Sequence, residues 1–527
     1  MIDISGPTKH RGTMSKLLNA HVTDHPDKIA LVDDDGSRTW SELDERVDRF
    51  IQALRESGLV VGDRVALLSQ NRREFFEVTL ACLHGGFILV PMNWHCVPSE
   101  LAYILDNSAA AAMIVDEGFT DTAAIALSLL PKHPKVHLTM GAGGSFEQAI
   151  SEAERSDTST QVAGSVMFYT SGTTGRPKGV KGWFSEVGAP PESIAAMADG
   201  FIALLGIDAS ATTLLNGPAY HTAQFFWSLF PIVRGGTVIM RRRFDSAETL
   251  RLIEEHAIAN VHLVPTQFTR LLRLPDATRT EFCGDSLRTI LHGSAPCPPH
   301  IKRSMIEWWG PIITEYYGAT EGGVTHLITS DEWLERPGSV GRTLPIFETI
   351  VTDDAGNRQT SGETGTLWFR HLGGRDFEYY GEASKTDEAH LEPGVFTFGD
   401  IGRVDESGYL YLSDRKVDLI ISGGVNIYPA EIEGVLVDHP AVADAAVFGI
   451  PDDEYGEQVK GAVELLPGYE PSAELAEELR KKCSEQLASY KVPRSIDFEA
   501  ELPRQASGKL YKRQLRDRYW AESRRSI

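Results

Sequence analysis

The sequence predicts an α/β protein with a large N-terminal domain of layered mixed and parallel sheets with helices, followed by a small α+β C-terminal domain. Three observations carry this reading. Short apolar runs alternate with amphipathic helical stretches through the N-terminal part. Beyond Val340 the texture changes to shorter strands separated by turn residues. From Ala430 onward helix and strand patterns alternate again over a stretch long enough for a separate small domain.

In chain order, Thr39-Trp40-Ser41-Glu42 is a helix start, with a hydroxyl cap and a glutamate three places on. The helix runs to about Glu56 and stops at Gly58. A strand over 64–68, a helix over 73–84, a turn at Gly85-Gly86 and a strand over 87–90 closed by Pro91 make one βαβ unit. Such a unit implies a parallel pair with a right-handed crossover. A helix over 100–107 and a strand over 112–115 extend the pattern, all of it read as scaffold. Further on come a strand over 235–240, a helix over 246–255, a strand over 260–264 and a helix over 267–273. Turns fall at Asp354-Ala355-Gly356 and Glu406-Ser407-Gly408. The C-terminal part reads as a helix over 430–438, strands over 444–448 and 459–465, and a helix over 472–488. The joint before it is expected near residues 413–417, just after a strand over 409–412.

The composition is that of an ordinary globular protein, with 42% apolar and 24% charged residues in a chain of 527. The formal net charge of −23 argues against nucleic-acid binding, which needs a basic face. It leaves room for phosphate ligands, which need only a local nest of donors. The five cysteines contain no C-x-x-C pair and no disulfide framework, so reduced thiols and a cytoplasmic setting are expected. The N-terminal stretch has no signal-peptide core, no apolar run reaches the ~18 residues of a membrane span, and the last three residues are not S-K-L.

The densest chemistry lies at Tyr169-Thr170-Ser171-Gly172-Thr173-Thr174-Gly175-Arg176-Pro177-Lys178-Gly179, reached from an apolar strand over 165–169. Three glycines let backbone amides converge on an anion, four Ser/Thr hydroxyls donate further, and two cations balance charge. The spacing is not that of a Walker A loop, and Pro177 would interrupt a following helix.

This segment resembles the phosphate loop of the adenylate-forming enzymes, the superfamily of acyl-CoA synthetases, peptide-synthetase adenylation domains and firefly luciferase. The resemblance recurs in order. Tyr317-Gly318-Ala319-Thr320-Glu321 matches Y-G-x-T-E, and Gly399-Asp400 with Tyr409 matches G-D…G-Y. Arg415 to Asp418 and Gly423 to Glu433 match the hinge and the first loop of the C-terminal domain. Pro503-Arg504 through Gly508-Lys509 matches P-R-x-x-x-G-K. The resemblance implies an adenylation domain over 1–413 that includes a small β-barrel-like part, a hinge at 414–417 and a mobile domain over 418–527.

It implies an AMP-forming carboxylate–CoA ligase, with ATP, Mg²⁺ and coenzyme A. Attack of a carboxylate on the α-phosphate of ATP gives an acyl-adenylate and pyrophosphate, and positioning and electrostatics should dominate that step. Carried over residue by residue, Thr170, Ser171, Gly172, Thr173, Thr174, Gly175 and Lys178 would hold the β- and γ-phosphates. Glu321 and Thr170 would bind Mg²⁺ through hard oxygens. Adenine would stack on Tyr317 against Gly293, Ser294 and Ala295, Thr320 would reach the α-phosphate, and Asp400 and Arg415 would hold the ribose. Lys509 would bridge the incoming carboxylate and the α-phosphate, although it also reads as a surface lysine in a basic tail.

The acyl pocket would be lined by His221, Thr222, Phe225, Phe226, Thr266, Gly293, Gly318 and Ala319, with His221 at the place of an aromatic gate. Amino-acid-activating relatives carry an acid just after that gate. Here it is Thr222, so the substrate is expected to be a hydrophobic acid: a medium- or long-chain fatty, aryl or sterol side-chain acid. In the second half-reaction the small domain would swing to bring Gly423, Gly424 and Asn426 to the pantetheine tunnel. The chain departs from the family at Val417, where Asp or Lys is usual, with Lys416 and Asp418 as flanking candidates for the hinge role. Three alternatives stand beside this reading: an adenylation enzyme loading a carrier-protein thiol, a luciferase-like oxidation, and a non-catalytic adenylate binder. Retention of Lys509, Glu321 and Asp400 argues against the last. The partner list is an acid, ATP and CoA, with no nucleic acid, no membrane span and a homodimer left open.

Overall fold

The computed structural model describes residues 17–170, 176–182, 184–415, 418–422, 425–452, 455–504, 508 and 510–520. The chain divides into two compact units. The first takes in the residues up to Arg243 with Glu255–Val261 and Tyr379–Gly381, and the second Phe244–Glu254, His262–Glu378 and the residues from Glu382 onward.

In the first unit the expected βαβ pattern grows into a five-stranded parallel sheet. Its order is Val136–Thr139, Ala112–Val115, Arg64–Leu68, Ile88–Met92 and Ser165–Val166. The capping box forms as read: Glu42 N donates to Thr39 Oγ1 at 3.2 Å and Thr39 N to the Glu42 carboxylate at 2.9 Å, starting the helix Trp40–Glu56. The helix Arg73–Gly85 ends on Gly86 at φ 78°, a left-handed cap that favours glycine. Every residue of this helix is buried, so its polar groups need partners. Arg73 meets Asp33 at 3.0 Å, and Glu77 takes Arg38 and Arg46 at 3.1 and 2.8 Å.

Two sequence expectations fail locally here. Pro91 does not close its strand but lies inside Ile88–Met92, opposite Leu67. The neighbour Ser165–Val166 pairs with Ile88 and Leu89 alone, so the missing N–H of Pro91 costs no bond to that ladder. The single strand expected over 165–169 is two: Ser165–Val166 joins the parallel sheet, and Phe168–Thr170 pairs antiparallel with Lys178–Lys181. The same unit holds Gly36–Thr39 antiparallel to Ile29–Asp33, with Val238–Met240, Thr212–Leu215 and the beginning of Ile258–Leu263 following in parallel.

In the second unit Thr289–His292 lies parallel to Ile313–Ala319, which turns back antiparallel into Gly323–Ile328. Shorter antiparallel strands follow through Gly341–Thr343, Tyr409–Arg415, Asp400–Val404 and Gly365–His371, as the change of texture predicts. The strand expected to stop at Leu412 continues to Arg415, because Asp414 and Arg415 are Cα partners of Ile401 and Asp400 across a bulge. The C-terminal part has its own sheet. Gly456–Leu465 runs antiparallel to Val442–Asp452 and parallel to Ser495–Glu499, under the helices Pro429–Val437 and Ala473–Gln486. Ile432, Leu436, Val447, Val463, Leu479 and Cys483 fill the core beneath those helices. Among the described residues no helix is long and apolar enough to cross a membrane.

Candidate functional site

Thr170 and Lys178 are Cα partners at the loop end of the hairpin Phe168–Thr170/Lys178–Lys181. The expected phosphate-binding residues Ser171, Gly172, Thr173, Thr174 and Gly175 between them lie outside the described residues. A strand, not a helix, follows Pro177, in keeping with a loop that is not Walker A. A third strand, Glu378–Tyr379, is added from far along the chain, and Tyr380 N donates to Gly179 O at 2.7 Å. The stem cations lie on tyrosine rings: Lys178 Nζ 4.4 Å from the centre of Tyr379, Lys181 Nζ 5.4 Å from Tyr380, and the Arg176 guanidinium 5.0 Å from Tyr103. The sequence reading did not find Tyr379 and Tyr380. The Tyr-Tyr doublet is their one visible sign, and a two-residue strand has no periodicity to read.

His221 is the N-cap residue of the helix Thr222–Val233, its ring 4.5 Å from that of Tyr220. Thr222 opens the helix. Phe225 is fully buried, packed edge-on against Phe168 at 5.2 Å and Phe75 at 6.3 Å, so it belongs to the core behind the helix. Phe226 packs on Phe184 and Phe230, each at 5.1 Å. Asn71, which the sequence reading missed, pins the segment before this helix. Its amide donates to Gly217 O at 2.7 Å and to Arg241 O at 3.0 Å, and accepts from Ala219 N at 2.8 Å.

In the second unit, three motifs far apart in sequence meet. The Tyr317 hydroxyl donates to Asp400 Oδ2 at 2.6 Å, both residues being buried. Asp400 is the Cα partner of Arg415, whose backbone ends the adjacent strand. The Tyr317 ring is held among His326, Phe369 and Phe398 at 5.7–6.0 Å. Gly318 has no room for a side chain, since a Cβ there would lie 2.0 Å from Gly323 O. Thr320 and Glu321 occupy the turn between Ile313–Ala319 and Gly323–Ile328. Gly293 has its neighbour Tyr316 where a Cβ would stand, at 2.6 Å, and Ser294 follows with φ 69°. Ala295 completes that turn after Thr289–His292.

Behind this segment lies a buried polar layer. Lys302 Nζ meets Glu315 at 2.5 Å and stands 4.7 Å from the Trp333 ring. Burial lowers the Lys302 pKa, partly offset by Glu315, and burial raises that of Glu315. Burial pushes His262 and His326 down to about 3, so both are neutral imidazoles at physiological pH.

Thr266 stands on the helix Pro265–Leu272. A Cβ at Gly508 would lie 3.3 Å from Val264 and 3.4 Å from Thr266 Oγ1, so the residue before Lys509 is seated against that helix start. Arg504 holds this turn, pairing with both carboxylate oxygens of Asp444 and donating to Gly508 O at 2.7 Å. Lys509 itself lies outside the described residues, as do Gly423, Gly424, Lys416 and Val417. Asn426 is described by its backbone, as the Cα partner of Ile421. For Mg²⁺, the Thr170 hydroxyl and the Glu321 carboxylate are hard oxygen donors of the kind it takes together with phosphate oxygens.

Residues 18–373 match the model of the AMP-binding enzyme family, and residues 431–509 that of the AMP-binding enzyme C-terminal domain. The chain is 31% identical to a fatty acid–[acyl-carrier-protein] ligase, ScoC, of Streptomyces coeruleorubidus over 98% of both chains. It is 30% identical to the long-chain-fatty-acid–CoA ligase FadD13 of Mycobacterium tuberculosis over 99% of both. Among solved structures, the o-succinylbenzoate coenzyme A synthetase of Bacillus subtilis in complex with ATP and magnesium ion superposes with a TM-score of 0.79. It is 28% identical, over 95% of this chain and 99% of that one.

Proposed function

This chain belongs to the AMP-binding enzyme family, an acid–thiol ligase of the adenylate-forming kind, and from that premise we propose that it joins a hydrophobic carboxylic acid to coenzyme A. The acid's carboxylate attacks the α-phosphorus of ATP, pyrophosphate leaves, and an acyl-adenylate forms. The CoA thiol then attacks the acyl carbon, AMP leaves with the carboxylate oxygen, and the thiol proton goes to solvent. The observation that carries the reading is the 2.6 Å bond from Tyr317 to Asp400, with Arg415 opposite Asp400 in the ladder. It joins the residues read as adenine stack and ribose acceptor into one rigid unit.

In this proposal Lys178 and the loop before it hold the outer phosphates, and Thr320 contacts the α-phosphate. Glu321 and Thr170 would hold Mg²⁺, which neutralises phosphate charge. Lys509 brings an ammonium between carboxylate and α-phosphate. His221, Thr222, Phe226, Thr266, Gly293, Gly318 and Ala319 line the acyl side, with Phe225 one layer behind. Gly423, Gly424 and Asn426 line the path of the thiol arm once the small domain, 418–527, turns about 414–417. The free thiols and the need for ATP and CoA support a cytoplasmic setting.

A second reading has a specific observation in its favour: the ScoC relative, 31% identical over 98% of its length, is named as a ligase of fatty acid to acyl-carrier-protein in place of CoA. A panel of fatty, aryl and sterol side-chain acids with MgATP, read by pyrophosphate release, tests the first half-reaction. CoA and a phosphopantetheinylated carrier protein, offered in parallel, separate the two acceptors. Pyrophosphate release with no acid in the panel would refute the substrate class.

A further inference from the structure

Ser294 is one of three non-glycine residues with positive φ among the described residues, at 69°. Left-handed backbone is unfavourable for a residue with a Cβ, and it persists where the surroundings over-determine it. Here two features do so. Gly293 carries no Cβ, and one built there would lie 2.6 Å from the Tyr316 ring and 2.7 Å from its carbonyl oxygen. The Ser294 Oγ then lies 3.0 Å from the Tyr316 hydroxyl, which in turn lies 3.1 Å from His262 Nε2. Tyr316 and His262 are 8% and 1% exposed, so this is a buried relay that ends at the surface on one serine.

Burial keeps His262 neutral, with a nitrogen able to accept, and keeps Tyr316 protonated. The Tyr316 hydroxyl bonds both groups at once, as donor to one and acceptor from the other. The ring of Tyr316 supports the backbone of Gly293, and its hydroxyl ties down the side chain one residue further on.

We infer that Tyr316, backed by His262, is a positioning residue for the nucleotide: it holds Ser294 in its left-handed conformation and so fixes the shelf Gly293-Ser294-Ala295 on which adenine lies. This rests on the proposed function, because the shelf is assigned to adenine there. Tyr316 touches no substrate in this account. Its hydroxyl reaches the shelf through Ser294 alone, and that makes the idea separable from the packing role of the ring.

The test is a double-mutant cycle in the full chain, read as the Kd for MgATP by calorimetry, with magnesium pyrophosphate as a ligand that lacks the base. Tyr316→Phe keeps the ring and removes the hydroxyl. In the native Ser294 background it should weaken MgATP by about 5–10-fold, the usual worth of such a hydrogen bond. In a Ser294→Gly background, where glycine takes positive φ unaided, the same change should alter the Kd by less than about twofold. Pyrophosphate affinity should not move. Equal weakening in both backgrounds, no weakening with Ser294 present, or a parallel loss of pyrophosphate affinity would each overturn the inference. If Tyr316→Phe fails a thermal melt, Ser294→Ala against Ser294→Gly carries the test. Alanine keeps the strain without the tie and must bind MgATP more weakly than glycine, and equal or tighter binding by the alanine variant overturns the idea. A native chain that binds no MgATP at all refutes the proposed function instead.

Discussion

Asp400 and Tyr317 set the limits of what one side chain can contribute here. In the proposed function the Asp400 carboxylate accepts from Tyr317 and from the ribose, whereas an amide would turn one acceptor oxygen into a donor. Asp400→Asn should therefore raise the KM for MgATP about tenfold, measured with the acid saturating. An unchanged KM would take Asp400 out of the nucleotide site. Lys509→Ala should slow adenylate formation by ~100-fold or more, as for loss of a main transition-state charge contact, while thioester formation from a supplied acyl-adenylate survives. Equal loss in both half-reactions would make the lysine structural. The family was legible in the sequence because chemistry restricts residue type and spacing within its motifs. Asn71 and Tyr316 were not, because their partners Gly217, Ala219 and Ser294 are assigned to them by folding, and nothing local marks an asparagine as a strap.

At the scale of elements, the helix Thr222–Val233 depends on the segment that Asn71 ties down from another part of the first unit. Asn71→Ala leaves a buried N–H and two carbonyls without that partner, a loss of about 2 kcal/mol. For a unit of this size that corresponds to a Tm lower by roughly 4–8 °C. Because the strap lies under the Pro218-Ala219-Tyr220-His221 run, the KM for the acid should rise more than that for ATP. A larger ATP effect would contradict the placement. Elements with strong periodicity or caps, such as Trp40–Glu56 and Arg73–Gly85, were readable from sequence. The ones missed depend on distant pairing. Glu378–Tyr379 exists because the hairpin Phe168–Thr170/Lys178–Lys181 offers it an edge, and Val442–Asp452 runs on through Pro451 because Gly456–Leu465 pairs with it throughout.

At the scale of the whole molecule, buried neutral histidines tie stability to pH. His262 and His326 titrate near 3 in the fold against an ordinary 6.5. The unfolded chain therefore takes up protons that the folded chain cannot. Stability is full above the unfolded value and falls as pH drops from 6.5 towards 3. The slope is up to about 1.4 kcal/mol per pH unit for each histidine. Melts across that window should show the fall, and His326→Gln should flatten it by about one proton's share. An identical slope in the variant would mean that His326 is not the group responsible.

In the proposed function the two half-reactions use two arrangements of the C-terminal domain, one that presents Lys509 and one that admits the thiol arm. A bulky residue in place of Gly424 should spare ATP–pyrophosphate exchange and abolish acyl-CoA formation. Normal CoA turnover in a folded Gly424→Leu protein would remove the glycine pair from the tunnel.

In the proposed reaction the carboxylate oxygen itself attacks the α-phosphorus of ATP. This step is tested most directly by turning over an acid whose carboxylate carries heavy oxygen, with MgATP and CoA, and weighing the products. The label should leave the acid on the phosphate of AMP, with pyrophosphate unlabelled. Label in inorganic phosphate beside ADP, or AMP free of label, would contradict it.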